Sequence, residues 1–297
     1  MKNFKVDFFI VGAPKAGTTA LHAHLAKHPQ VCMSSDKEPN YFSFEEIEKQ
    51  QLYYHKENVK SESDYNALFE CEESAKLRGE ASVSYLLYKE VPQRIKSYNP
   101  DAKIIISLRH PVQRAYSHFQ MDYSLGLVNV SFEEIYRNGP NHSATGNYFQ
   151  QYFLLSDYAD QVERYQNEFP HQQICILLHE DLIRDPEKTM KKVFHFLGIG
   201  KEIGPIELEK QNVSGAGKNV LIRILYQNNY FRKVSSYLFS ENIRNKIKSK
   251  LFSKENIPSL KDHLALELQH YYHAGLVKLK EQTGLSIDHW LKSSATK

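Results

Sequence analysis

The residues with the clearest chemical potential lie in the segment Gly12-Ala-Pro-Lys-Ala-Gly-Thr-Thr19. A compact apolar run, Phe8 to Val11, precedes it, and Thr18 to Lys27 follows with leucines at helical spacing. A glycine loop between a strand and a helix directs loop amides and the helix N-terminus at one point, where an anion is stabilised. The segment therefore predicts a cradle for a phosphate or a sulfate; the alternative is a turn that only connects strand to helix.

This loop departs from the P-loop of nucleoside triphosphatases at its lysine. Both glycines and Thr19 match that motif, but Thr18 stands at the lysine position and the lysine lies inside the loop as Lys15. A nucleoside triphosphate usually needs Mg²⁺ and the motif lysine to neutralise its outer phosphates. A phosphosulfate carries less charge, so amides, hydroxyls and one lysine can hold it. Lys15 would then stabilise the charge that grows on the oxygen bridging phosphorus and sulfur.

A second candidate segment, Ser107-Leu-Arg-His-Pro-Val-Gln-Arg-Ala-Tyr-Ser117, follows another apolar strand. Ligands of open α/β sheets bind outside the C-terminal ends of the strands. Arg109 at that end can donate two hydrogen bonds to a phosphate, and Ser117 lies about two helical turns beyond His110. An arginine at a strand end is more often an ordinary surface ion pair. Its significance comes from its combination with the glycine loop.

Together the two segments resemble the motifs of the PAPS-dependent sulfotransferases, where PAPS is 3′-phosphoadenosine 5′-phosphosulfate. PKAGTT is similar to the 5′-phosphosulfate loop of that family, and LRHPVQRAYSHF is similar to its 3′-phosphate motif. The resemblance covers most of the chain, and it implies PAPS as sulfuryl donor without a metal. It assigns Arg109 and Ser117 to the 3′-phosphate. It assigns to the 5′-phosphosulfate the residues Lys15, Ala16, Gly17, Thr18 and Thr19.

Three further positions receive roles from the same resemblance. Asp36-Lys-Glu-Pro-Asn-Tyr-Phe42 is similar to the Lys-Glu-Pro segment of heparan sulfate sulfotransferases and bacterial relatives, which makes Glu38 the candidate base for the acceptor proton. Glu80 lies in a second segment similar to one near the acceptor and is a weaker candidate. Lys218 lies in a late glycine loop and would reach the 3′-phosphate. Gly217 stands there in place of a frequent proline, which makes this last role less secure.

The elements that would position these residues alternate between strands and helices. Buried strands are expected at Lys103 to Leu108 and Gln173 to Leu178, with a weaker one at Gly79 to Ser84. A helix is expected over Pro186 to Leu197, closed by Gly198. The pattern predicts a single α/β domain over residues 1–297, with a central parallel sheet flanked by helices as in P-loop NTPases. Its C-terminal part would be helical, ending near Leu260 to Glu281.

Composition limits the remaining possibilities. The chain has 297 residues, 41% hydrophobic and 25% charged, which excludes disordered and fibrous classes. A net charge of +3 gives no reason to expect nucleic acid as a partner. The three cysteines have no metal-ligand spacing, so neither a disulfide framework nor a metal site is expected. Because no stretch is long and apolar enough to span a bilayer, we expect a cytoplasmic protein without a transmembrane segment.

The sequence predicts sulfuryl transfer from PAPS to a hydroxyl or amine of a small-molecule or carbohydrate acceptor. Two alternatives use the same loops: a P-loop nucleotide kinase or phosphotransferase, and a non-catalytic protein that binds PAPS or its desulfated product PAP. The cluster of Tyr148, Phe149, Tyr152 and Phe153 fits either an acceptor pocket or core packing. The basic stretch 244–254 is typical of an ordinary amphipathic helix, and it receives no function. The sequence does not predict an oligomeric state.

Overall fold

The structure is a computed structural model that describes residues 5–54, 59–200, 216–217, 252–253 and 258–292. Its helices and strands follow in chain order: β1 (Phe8–Gly12), α1 (Thr18–Ala26), β2 (Val31–Met33), α2 (Phe44–Gln50), α3 (Glu62–Asn66), β3 (Leu77–Ala81), α4 (Val91–Tyr98), β4 (Lys103–Leu108), α5 (Pro111–Leu125), α6 (Phe132–Asn138), α7 (Gly146–Tyr152), α8 (Tyr158–Glu168), β5 (Ile174–Leu178), α9 (His179–Arg184), α10 (Pro186–Leu197), β6 (Ala216–Gly217), β7 (Phe252–Ser253), α11 (Asp262–Thr283) and α12 (Asp288–Leu291).

The centre of the described part is a five-stranded sheet in the order β2-β3-β1-β4-β5, with all neighbours parallel. The chain leaves β1 toward β2 on one side and leaves β4 toward β5 on the other. The connections after β1 and β4 therefore run to opposite sides. Such a change of side leaves a crevice between the two loops at the C-terminal ends of the strands. The α/β class with a central parallel sheet is confirmed.

Apolar residues on both faces of the sheet explain why its strands are almost uniformly hydrophobic. Phe8 and Ile10 of β1 pack with α1 and α10, whereas Phe9 and Val11 pack on the opposite side with α4, α5 and α8. All of these strand side chains are fully buried. Alternate residues of a strand point to opposite faces, so a strand covered on both sides must be apolar throughout.

Most predicted elements agree with the structure within two residues. The strand predicted at Gly79 to Ser84 instead covers Leu77–Ala81, because residues 83–86 form a turn of 3₁₀ helix. The polar region 45–76 contains the short helices α2 and α3, and the short edge strand β2 was not predicted. The closing helix is α11, which packs against α8. Helices alone were expected after Gly217, but β7 also lies there and pairs antiparallel with β6.

The expectation about cysteines was wrong in one respect. Cys32 of β2 and Cys71 form a disulfide with 5.4 Å between their Cα atoms, while Cys175 is free and buried. The sequence did not predict this pairing, because the two cysteines are 39 residues apart. They meet only when the segment after α3 returns to the edge of the sheet. Disulfides are rare in reducing compartments. The disulfide therefore does not favour the cytoplasmic location expected from the sequence.

Candidate active site

The glycine loop is held in place by the end of the neighbouring strand β4. The backbone N–H of Ala13 donates to the carbonyl oxygen of Ser107 at 2.6 Å, and the Ser107 hydroxyl donates to the Ala16 carbonyl at 2.6 Å. Lys15 and Gly17 both have left-handed backbone angles, with φ of 65° and 86°. Gly17 is required for a second reason, since a Cβ there would lie 2.7 Å from Leu182 of α9.

The N-terminus of α1 points out of this loop without a side-chain cap. Gly17 is the N-cap residue and makes no side-chain hydrogen bond to the helix amides. The first N–H groups of a helix have no partner inside the helix and carry a partial positive charge. Thr18 and Thr19 are the first two residues of α1, so both hydroxyls lie at this helix end. Thr18 is buried and Thr19 is exposed. This geometry fits the predicted cradle for an anion.

Lys15 and Arg109 come together at this loop. Arg109 Nη1 donates to the carbonyl oxygen of Lys15 at 3.2 Å, and Lys15 Nζ lies 3.5 Å from the sulfur of Met121 on α5. Burial and the charge of Arg109 lower the pKa of Lys15, while the charge of Asp122 opposes that shift. Two cations from different strand ends therefore meet in a partly buried place, where an anion would offset their charge.

The Arg109 guanidinium is largely buried, and the charge of Glu180 acts on it. Its Nε atom is buried and has no hydrogen-bond partner among the described residues. Burial, together with the charge of Arg109, lowers the pKa of His179 to about 4. Burial and the charges of His289 and Arg109 lower the pKa of His110 to about 4 as well. Both imidazoles are thus neutral at pH 7 and add no positive charge beside Arg109.

On helix α5, Ser117 and Arg114 differ in what they can do. Ser117 is half-buried and lies one helical turn before Met121, so it faces the same side as the residue that contacts Lys15. Arg114 is fully buried and donates to Ser156 Oγ and to two backbone carbonyls of α7. Arg114 therefore fixes α5 against α7, whereas Ser117 is placed to contribute to the site.

Glu38, the candidate base, lies at the C-terminal edge of the sheet. Its backbone N–H donates to the carbonyl oxygen of Ala81 at the end of β3. The backbone of Glu38 is left-handed, with a φ of 66°. Its side chain is 34% exposed and forms an ion pair with Lys37. The charge of Lys37 also lowers the pKa of Lys15, which places the two segments within electrostatic reach of each other. Glu38 is thus on the correct side of the sheet to meet a bound anion.

The other base candidate, Glu80, lies in the core. It is fully buried, and its two oxygens accept hydrogen bonds from the hydroxyls of Tyr65 at 2.6 Å and Ser82 at 2.5 Å. A carboxylate used in this way stabilises the packing of β3 and α3. The geometry favours Glu38 over Glu80 as a proton acceptor. Lys218, predicted to reach the 3′-phosphate, lies outside the described residues.

Sequence reasoning missed two acidic residues near these loops. Glu180 of α9 accepts hydrogen bonds from the backbone of His110 and from Trp290 Nε1, which ties α12 to the second motif. Asp122 is fully buried on α5. A signal for Asp122 was present, because Arg114, His118 and Asp122 recur every four residues and so form a polar stripe on an otherwise buried helix face.

The aromatic cluster of α7 belongs mainly to the core. Phe149, Tyr152 and Phe153 are at most 4% exposed, whereas Tyr148 is partly exposed. The described residues include no group of three or more His, Cys, Asp and Glu side chains placed to hold a metal ion. Within the same described ranges, no helix combines the length and apolar character needed to cross a membrane.

Comparison with known proteins agrees with this geometry. The family model described as the sulfotransferase domain matches residues 5–283. Human bifunctional heparan sulfate N-deacetylase/N-sulfotransferase 3 is 31% identical over 199 residues, which are 65% of this chain and 22% of that protein. The type 1 protein from Xenopus laevis is 31% identical over 196 residues, 64% of this chain and 22% of its own. The chain thus matches about a fifth of the length of these curated relatives.

A solved bacterial structure resembles the chain over nearly its whole length. The crystal structure of a sulfotransferase from Alicyclobacillus acidocaldarius has a TM-score of 0.69 and 25% sequence identity, covering 98% of this chain and 100% of that one. Both this structure and the family model match most of the present chain. In the present chain, the loops after β1 and β4 lie at the same edge of the sheet. The chain therefore belongs to the sulfotransferase family, as the resemblance of these motifs to the PAPS-dependent enzymes predicted.

Proposed function

We propose that this enzyme transfers the sulfuryl group of PAPS to a hydroxyl or amine of a carbohydrate or small-molecule acceptor, and that residues 1–297 act as one sulfotransferase domain. The observation that carries the choice of donor is the junction of Lys15 with Arg109 beside the open N-terminus of α1. PAPS has anionic groups at both ends of its ribose, so it needs two anion sites on neighbouring loops. The loops after β1 and β4 supply one each.

Different residues of the chain would have different roles in an in-line displacement at sulfur. Lys15 and the amides at the start of α1 would stabilise the phosphate oxygen as its bond to sulfur breaks. Arg109 and Ser117 would hold the 3′-phosphate. Glu38 would accept the proton that the acceptor loses as its oxygen or nitrogen bonds to sulfur. The products are the sulfated acceptor and PAP, and the proton stays on Glu38 until it passes to solvent.

The acceptor proposal draws on the curated relatives, whose names describe N-sulfotransferases of heparan sulfate. They favour a sugar amine or hydroxyl as the first acceptor class to test here. The cytoplasmic location stays a prediction, and the Cys32–Cys71 disulfide favours testing for an oxidising compartment as well.

The donor assignment is tested by thermal unfolding with PAP and, separately, with ATP and Mg²⁺. A ligand at about a hundred times its dissociation constant stabilises the folded state by roughly 2.7 kcal/mol, which is several degrees at this size. We expect PAP to produce this shift and Arg109→Ala to abolish it. Arg137→Ala, which removes an exposed ion pair with Glu267, should leave the shift intact.

Two results would redirect the proposal. Stabilisation by ATP with Mg²⁺ alone would support the kinase alternative, which the match at both glycines and at Thr19 still favours. Stabilisation by PAP without sulfated product from amino sugars, other sugars or phenols would support a non-catalytic PAP-binding protein.

A further inference from the structure

Asp122 is a buried carboxylate next to the anion site, and the proposed reaction gives it no role. Its side chain is fully buried on α5. Oδ1 has no hydrogen-bond partner among the described residues, while Oδ2 accepts from three tyrosine hydroxyls: Tyr53 at 2.7 Å, Tyr54 at 2.7 Å and Tyr152 at 2.8 Å. A carboxylate withdrawn from water is destabilising unless it is hydrogen-bonded, and hydrogen bonds to a charged acceptor are strong. Asp122 therefore holds three side chains at one atom.

Two of these tyrosines belong to the segment Gln51–Tyr54, called here the tyrosine segment, which follows α2. The Tyr54 hydroxyl also lies 2.6 Å from Nε2 of His118, one turn before Asp122, and the two rings stack at 6.1 Å. The Tyr53 ring lies 4.6 Å from the ring of Tyr148. The tyrosine segment is thus fixed against both α5 and α7, although it lies 68 or 69 residues from Asp122 in sequence.

The position of the tyrosine segment links the two sides of the site. Met121, the residue before Asp122, contacts the Lys15 ammonium, and the charge of Asp122 acts on Lys15. In the other direction, α2 leads from the tyrosine segment back to the loop that carries Glu38. An acceptor must approach sulfur opposite the leaving oxygen and within reach of the base. These connections favour a position for the tyrosine segment beside the space in which the acceptor would meet the sulfuryl group.

We propose that Asp122 is a positioning residue that holds Tyr53 and Tyr54 as the acceptor-side wall of the site. This inference rests on the proposed function. The wall consists of the aromatic side chains of Tyr53 and Tyr54, which suit the flat face of a ring-shaped acceptor, while their hydroxyls stay bonded to Asp122. It also keeps water from bound PAPS. When water takes the acceptor's place, its oxygen bonds to sulfur, the bond from sulfur to the bridging oxygen breaks, and sulfate, PAP and protons are released.

The test uses PAPS alone, so it does not depend on knowing the acceptor. Hydrolysis of saturating PAPS to PAP and sulfate is measured without acceptor, and PAP affinity is measured by calorimetry. We expect Asp122→Ala to raise the hydrolysis rate roughly tenfold while PAP affinity stays within about twofold. The double variant Tyr53→Phe, Tyr54→Phe removes the same hydrogen bonds without emptying the core, and it decides the question if Asp122→Ala does not fold. Tyr165→Phe, which removes a buried hydroxyl bonded to the Tyr85 carbonyl, is the matched control.

The outcomes separate this inference from the donor assignment. A parent enzyme that does not bind PAP would contradict the proposed function itself. If the parent binds PAP but the double variant hydrolyses PAPS no faster than Tyr165→Phe does, the proposed role of Tyr53 and Tyr54 is contradicted. A merely structural role for Asp122 would weaken PAP binding and lower every rate, so only a gain of hydrolysis at unchanged PAP affinity supports the inference.

Discussion

Replacing Asp122 by asparagine should change the pH dependence of stability in a direction fixed by its burial. Burial raises the pKa of this carboxyl from 3.8 to about 6, although hydrogen bonds from three tyrosines and the charge of Lys15 oppose the shift. The folded protein therefore holds this proton more tightly than the unfolded chain does. As pH rises from below 3.8 to above 6, ionisation of Asp122 progressively destabilises the folded state. Asparagine cannot ionise, so the variant escapes that destabilisation.

The magnitude follows from the size of the shift. A difference of about 2 pKa units corresponds to about 3 kcal/mol once the carboxyl is ionised in both states. At pH 4.5 only about 1 kcal/mol of this is present, since the unfolded carboxyl is already ionised while the folded one is not. Between pH 4.5 and pH 7.5, the free energy of unfolding of Asp122→Asn should therefore rise by about 2 kcal/mol relative to the parent. Altered hydrogen bonds add an offset that is the same at both pH values.

Urea denaturation of both proteins at several pH values between 4.5 and 7.5 measures this gap. Asp101→Asn makes the same chemical change at an exposed position and gives the baseline. Titrations elsewhere in the molecule cancel in the comparison, since they occur in both proteins. A gap that stays constant with pH, or that changes in favour of the parent as pH rises, would refute the placement of Asp122 as a buried ionisable carboxyl.

Two further predictions concern the scaffold of the site. The double change Cys32→Ser, Cys71→Ser should lower the free energy of unfolding by about 2–4 kcal/mol, because the unfolded chain gains freedom around a loop of this length; urea denaturation that matches the oxidised parent would contradict this. Gly17→Ala should cost roughly 1–3 kcal/mol of stability and weaken PAP binding, because Gly17 has positive φ and a Cβ there would clash with α9. Gly139→Ala, also at positive φ but with open space around it, is the control, and equal effects on PAP affinity would refute the argument.

Continuous apolar runs were sufficient to find the strands that lie in the middle of the sheet. β1 and β4 are covered on both faces, so their sequences FFIVG and KIIISL are distinctive. The edge strand β2 has only three residues and no periodic pattern, and it exists because it pairs with β3. Short helices such as α3 depend on local capping, here by Ser61, within a polar region that has no hydrophobic period. The sequence therefore did not predict β2, which depends on a partner strand, or α3, which depends on a single cap.

Some residues of the candidate site were also predictable from the sequence, and others were not. Lys15, Gly17 and Arg109 follow buried strands directly, and parallel strands bring their C-terminal ends to one edge, so their approach was predictable. The contribution of Asp122 depends on Tyr53 and Tyr54, whose return to α5 no local pattern encodes. Glu80 shows the opposite error, because a family-like segment suggested chemistry where both carboxylate oxygens serve the core.

The arrangement of charge around Lys15 explains how an anion site can be built without its anion. Lys15, Arg109 and Arg114 are cations withdrawn from water, and burial lowers the pKa of each. A direct ion pair to Lys15 would offset its charge, but binding of PAPS would then have to break that pair. The ammonium instead contacts the sulfur of Met121, while Oδ2 of the adjacent residue Asp122 accepts hydrogen bonds from tyrosines. The negative charge is thus close enough to favour protonated Lys15, yet the ammonium itself stays available for the leaving oxygen of the proposed transfer.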